Sequence, residues 1–226
     1  MFSPAFMRLF IAIAFVATFS FSAAAAGLPL VEVPATRGNS DTMVVFVSGD
    51  GGWAKIDKSI SAVFAGEGMP VVGLNALQYF WTKRTPESAA RDLESIITTY
   101  AARWQKTRVL LVGYSRGADV LPAMVARLSP SSRMKLRMLA LLAPSPRVEF
   151  EFHVADWMHD SSSGLPVRPE LEKLTEKTLC VWGEDDPDSL CKGLVLPNVE
   201  VVMLHGAHHF EGDYEQLARI IVGALR

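Results

Sequence analysis

This sequence has no surplus of positive charge: Lys and Arg number 22 against 24 Asp and Glu, a formal net charge of −2. A chain so balanced offers no basic face for nucleic acid. It has no internal repeat, low-complexity tract or linker, so one domain is expected and not a string of them. Past the N-terminal stretch, no run is long and apolar enough to span a bilayer. A P-loop is excluded, because Lys55 lacks the G-K-[ST] context. Cysteine is limited to Cys180 and Cys191, and nothing in the pattern calls for a metal or another cofactor.

What is present begins with "MFSPAFMRLF IAIAFVATFS FSAAAAG", where one cation, Arg8, precedes an uncharged apolar run and then small residues. That is the layout of a secretory signal peptide with cleavage near Ala24 to Ala26. The expected organisation is a signal peptide over 1–26 and a single domain over 27–226, enough chain for one well-buried core. Export to an oxidising compartment permits a Cys180–Cys191 disulfide, worth roughly 2–3 kcal/mol through loop entropy.

Apolar, β-branched runs predict strands at Met43–Val47, Pro70–Leu74, Val109–Val112, Met138–Leu142, Thr178–Trp182 and Val199–Leu204. Helical patterns lie between them. One opens at Thr85 as N-cap with Pro86 in first position, and keeps Leu93, Ile96, Ile97, Tyr100 and Trp104 on one face. A second follows Arg116, and a third runs from about Asp213 to Leu225. The alternation predicts an α/β fold of the α/β-hydrolase type: a mostly parallel sheet with helices on both faces. "RVEFEFHVADW" alternates like a strand and "HDSSSGLPVRPE" reads as a loop, a small insertion before the acid-bearing strand.

Ligands of open parallel sheets bind beyond the carboxyl ends of the strands. On that rim the sequence brings "SGDGGW", "GYSRG", "GEDDPD" and "HGAHHF". "GYSRG" is a G-x-S-x-G between an apolar run and a helical one, the context of a nucleophile elbow. Ser115 is the expected nucleophile, and a serine hydroxyl needs a base oriented by a third group. Asp186 and His208 follow in the order this fold uses, with Asp188 and His209 as alternatives.

Gly49, Gly51 and Ala54 also fit the G-x-G-x-x-A spacing of a dinucleotide loop, but the next predicted strand ends in Asn75 where a ribose-binding acid is needed. The glycine loop is better used as an oxyanion site, with backbone N–H groups of Asp50 or Gly51 and of Arg116 as donors. Asp50 is anomalous there, since a carboxylate opposes a neighbouring oxyanion; it either braces the loop or meets a cationic substrate group. The expected substrate contacts are Asp50, Trp53, Tyr79, Phe80, Trp81 and Arg116. Asp57, Glu184 and Asp185 are further candidates for an ammonium, and Lys83 and Arg84 for a phosphate.

"GDGGW", "QYFWTKRTPE", "GYSRGADVLP", "DSLC" and "HHFEGDY" together resemble the bacterial VirJ/AcvB virulence-protein family, over the chain from about Val44 onward. The chain is similar to the family's short form. That resemblance implies an α/β-hydrolase in the periplasm of Gram-negative bacteria, with Ser115, the acid near Asp186 and His208 as hydrolytic residues. It also implies an ester substrate at the membrane surface, such as lysyl-phosphatidylglycerol, which the long branch is associated with hydrolysing. For the short branch it implies type IV secretion components as partners, and a binding role without required catalysis is the alternative reading. Arg116 departs from the pattern, in which an aromatic commonly follows the serine.

Overall fold

Six consecutive residues of the strand Thr42–Val47 are buried, as befits the middle of a sheet covered on both faces. The computed structural model describes residues 27–152 and 164–226. In chain order the elements are β1 (Leu30–Val33), β2 (Thr42–Val47), α1 (Lys55–Gly66), β3 (Val71–Leu74), α2 (Ala76–Tyr79), α3 (Pro86–Trp104), β4 (Arg108–Tyr114), α4 (Arg116–Val125), α5 (Pro130–Arg133), β5 (Leu136–Leu142), β6 (Arg147–Val148), β7 (Leu165–Pro166), α6 (Val167–Leu171), β8 (Thr178–Gly183), β9 (Val199–Leu204) and α7 (Tyr214–Leu225). The main sheet has the order β1-β3-β2-β4-β5-β8-β9. Only β1 runs antiparallel to its neighbour.

Two apolar layers sandwich this sheet. On one face, α3 and α4 bury Leu93, Ile96, Ile97, Val120, Leu121 and Met124 against alternate strand residues such as Val45, Leu111 and Leu141. On the other, α1 and α7 bury Ile60, Phe64, Leu217 and Ile221 against Phe46, Val112 and Val181. Helix α3 starts where the sequence directs. The Thr85 side chain accepts from Ser88 N–H, Ser88 Oγ accepts from Thr85 N–H, and Pro86 occupies the first turn.

Among the elements not predicted are β1 and α1. Strand β1 is short, and Glu32, bonded to Tyr100 and Arg103, interrupts its apolar residues. Helix α1 follows the glycine loop and carries charge in its first turn. The predicted strand at "RVEFEFHVADW" is corrected for its described part: among the described residues only Arg147–Val148 pairs, with Leu165–Pro166, in a separate two-stranded ribbon. Phe150 instead turns into the apolar layer, edge-on to Phe80, and residues 153–163 lie outside the described ones, as does the expected signal peptide.

The Cys180–Cys191 disulfide is formed, joining β8 to the loop beyond it with Cα atoms 5.7 Å apart. Both cysteines are fully buried. Replacing both by Ser should lower the unfolding free energy by about 2–3 kcal/mol, read as a reduced denaturant midpoint. An unchanged midpoint would show that the bridge does not support the fold.

Candidate active site

Strand β4 ends at Tyr114 and helix α4 begins at Arg116, leaving Ser115 alone in the turn with φ 52° and ψ −123°. That turn is possible because the chain passes within backbone contact of its neighbours. A Cβ on Gly113 would lie 2.4 Å from Gly117 O, and one on Gly117 would lie 2.0 Å from Val47 O. The two glycines of G-x-S-x-G are thus demanded by close approach.

His208 follows β9 and reaches back over this turn. Its Nε2 is 2.9 Å from Ser115 Oγ, and its Nδ1 is 2.9 Å from Asp186 Oδ2. The acid is held by its loop: Asp186 N–H donates to Gly183 O and Asp185 N–H to Gly206 O. Asp188 is exposed and makes no ion pair among the described residues. His209 is bonded elsewhere, its Nδ1 2.6 Å from the Tyr114 hydroxyl. His205 pairs with Glu184 at 2.6 Å on the surface, and that carboxylate raises its pKa.

Tyr114 was not singled out in the sequence, although it is the second residue of the G-x-S-x-G. It is buried, and its hydroxyl lies between His209 and the His208 carbonyl, 3.4 Å away. Burial pushes the phenol pKa well up, with Tyr214, Asp57 and Asp186 adding to the shift, so the hydroxyl stays a donor.

The glycine loop stands beside the nucleophile: a Cβ on Gly49 would lie 3.2 Å from Ser115 Cβ. Gly52 N–H donates to Gly49 O, closing the turn, and Ser48 Oγ accepts from Ala76 N–H at 2.9 Å. Among the described residues, the Asp50 and Gly51 N–H groups donate to no other backbone carbonyl. The Arg116 N–H, at the first position of α4, belongs to the unpaired donors of a helix start.

Several expected substrate contacts prove otherwise engaged. Asp50 forms an ion pair with Arg116 Nε, and Arg116 Nη1 donates to the carbonyls of Glu149 (2.7 Å) and Glu151 (3.2 Å). Each charge answers the other, so neither is left for an ammonium or a phosphate. Trp53 lies across Gly73, where a Cβ would meet its ring at 2.1 Å, and edge-on to Phe46. Tyr79 and Phe80 are buried. Of that aromatic run only Trp81 is exposed, at 63%, stacked on Phe152. Lys83 pairs with Glu151, and Arg84 lies over the Tyr79 ring. Asp57 is a buried brace whose Oδ2 accepts from Ala54 N–H at 2.8 Å.

A mostly parallel sheet, a serine on a positive-φ turn between strand and helix, and a histidine after the last strand define the class as an α/β-hydrolase. The family follows: the model described as bacterial virulence protein (VirJ) matches residues 41–226, and the chain belongs to that family. Among solved structures, MenH from S. aureus is similar, with 14% identity, a TM-score of 0.61 and coverage of 87% of this chain and 97% of its own. An alpha-beta serine hydrolase homologue from Coxiella burnetii matches at 15% identity and TM-score 0.60, over 87% and 91%. Est1E from Butyrivibrio proteoclasticus, solved with ferulic acid, matches at 14% and 0.60, over 86% and 92%. At such identities these neighbours establish the fold. None of the curated proteins searched matches the chain.

Asp57 generates a pH prediction. Burial raises its pKa to about 6 from 3.8, so the folded chain binds the proton more tightly than the unfolded chain between those values. Wild-type stability should therefore fall as pH rises through that window, by about 3 kcal/mol at most, and level off above it. Asp57→Asn removes the titration, so its stability relative to wild type should climb between roughly pH 4 and pH 7. A pH-independent difference in denaturation midpoints would show that this carboxyl does not carry the burial penalty.

Proposed function

We propose that this protein is a serine ester hydrolase working through an acyl-enzyme. The observation that carries the reading is the Ser115–His208–Asp186 chain, with both links at 2.9 Å. In this mechanism His208 Nε2 takes the Ser115 proton as Oγ attacks the ester carbonyl, and Asp186 steadies the imidazolium. The negative charge on the carbonyl oxygen is met by the Arg116 N–H and by the Asp50 or Gly51 N–H. His208 then protonates the departing alcohol, and water, deprotonated by the same ring, releases the acid from Ser115.

For the substrate we propose an aminoacyl phospholipid, lysyl-phosphatidylglycerol, met in the periplasm after removal of the signal peptide. Family membership supports it, as does the exposed Trp81, an amphipathic ring suited to a lipid surface. Of the acids considered for the lysyl ammonium, Asp50, Asp57 and Glu184 are engaged, and exposed Asp185 is the candidate we assign to it. Type IV secretion components are the partners the family implies.

Incubating the protein with vesicles containing lysyl-phosphatidylglycerol should release lysine, and Ser115→Ala should lower the rate by about 10³-fold or more. No release by wild type, or equal release by the variant, removes the catalytic reading. Capture of secretion components by both proteins, with no release from either, would favour a binding role. Asp50→Asn should lower kcat about 10- to 100-fold through a loosened glycine loop, while leaving KM and the preference for lysyl over uncharged acyl esters unchanged. A lost preference would instead assign Asp50 to the ammonium.

A further inference from the structure

Strand β9 closes the main sheet, with β8 on one side and, among the described residues, no strand on the other. Its register with β8 is unbroken from Val199 to Leu204. Thr178 N–H donates to Asn198 O and Glu184 N–H to Leu204 O, both at 2.8 Å, so residues of even number face β8. The N–H and C=O groups of Val201 and Met203 therefore point away from the sheet, beside the carbonyl of Val199. The Val199 N–H turns back to Leu196 O. Val201 and Met203 are 38% and 55% exposed. Glu200 is the one charge in "VEVVML", and no proline, lysine or bulge interrupts it, although these are the devices that normally protect an edge.

We propose that β9 pairs with β9 of a second copy of this chain, antiparallel, about a twofold axis through Val201. The strand is self-complementary in that register. Val201 meets its own counterpart, and Val199 meets Met203 in both directions, so every cross-strand pair of the outward row is apolar. Glu200 falls opposite Val202, which keeps the two glutamates from facing each other. Moving the axis to Met203 would set Val201 against exposed His205 instead.

Charge favours the same arrangement. Exposed Lys177 stands at the start of the strand beside Asn198 and Val199. Exposed Glu211 and Asp213 stand at its end beside Met203 and Leu204, where Glu184 is already paired with His205. Antiparallel pairing brings the start of each strand against the end of the other. About four new backbone hydrogen bonds join the sheets, two of them between the Val201 residues. This association goes beyond the hydrolytic reading and does not depend on it.

Sedimentation velocity across a concentration series should show reversible dimers of the wild type. Val201→Pro and Met203→Lys should each weaken association at least about tenfold. The proline removes a donor that β8 does not use, so ester hydrolysis should persist. Register is tested by cross-linking. Cys180 and Cys191 are paired and are the only cysteines in the sequence, so Val201→Cys adds a single free thiol. Opposed Cα atoms of a hydrogen-bonded antiparallel pair lie about 5.5 Å apart, within disulfide range. Oxidised Val201→Cys should run as a covalent dimer, and Glu200→Cys should cross-link at least about tenfold less. A wild type that stays monomeric at all concentrations, dimers indifferent to both edge substitutions, or equal cross-linking at the two positions would overturn the proposal.

Discussion

The site depends on how closely α4 approaches the ends of β2 and β4. With Gly117 against Val47 O and Gly113 against Gly117 O, the chain has no room for an ordinary turn, and Ser115 is driven to positive φ. For a residue with a side chain that costs about 1–2 kcal/mol. The surroundings hold it there: Ser115 N–H donates to Leu142 O, and Asp119 N–H donates to Ser115 O. Asp119 in turn accepts from Ser145 N–H at 2.6 Å, tying α4 to the segment after β5. Burial raises the Asp119 pKa well above the usual carboxylate value, more than nearby Arg116 lowers it. Strain at one residue is thereby opposed by hydrogen bonds from strand β5, helix α4 and the segment after β5.

A second constraint is charge. Asp50 stands in the loop where a developing oxyanion would be least tolerant of a carboxylate, and Arg116 is a guanidinium that is only 8% exposed. Either alone would be costly: one repels the oxyanion, the other is a buried unpaired cation. Together they cancel, and Arg116 Nη1 donates to the Glu149 and Glu151 carbonyls. The residue directly after the nucleophile thus joins the helix start, the glycine loop and the segment that follows β6. An aromatic side chain at that position could not neutralise Asp50, so in this chain the acid and the arginine make sense only as a pair.

How much of this was legible in the sequence follows from how local each signal is. Strands β2, β4, β5 and β8 are buried on both faces, so they read as unbroken apolar runs, and parallel topology then brings Ser115, the acid loop and the histidine loop to one rim. Choosing between neighbours required long-range contacts. Asp186 differs from Asp188 because Gly183 O and Gly206 O hold the turn that aims it. His208 differs from His209 because the Tyr114 hydroxyl claims the latter. Tyr79, Phe80 and Trp81 look alike in sequence, yet two are buried and one is exposed, since α3 and Phe150 cover only the first two. The Asp50–Arg116 pair spans 66 positions and has no local signature.

In the proposed triad Asp186 and His208 lie in the loops after β8 and β9, the last two strands at one edge of the sheet. A site that needs two links of 2.9 Å tolerates little drift, so that edge must be fastened. The disulfide fastens β8 to the far side of the acid loop, and Asp185 N–H to Gly206 O locks that loop to the histidine loop. Tyr114 carries the fastening inward, from the histidine pair to the residue beside the nucleophile. What these ties leave open is the outer side of β9 itself, and a second strand laid along it would complete the same series of restraints from without.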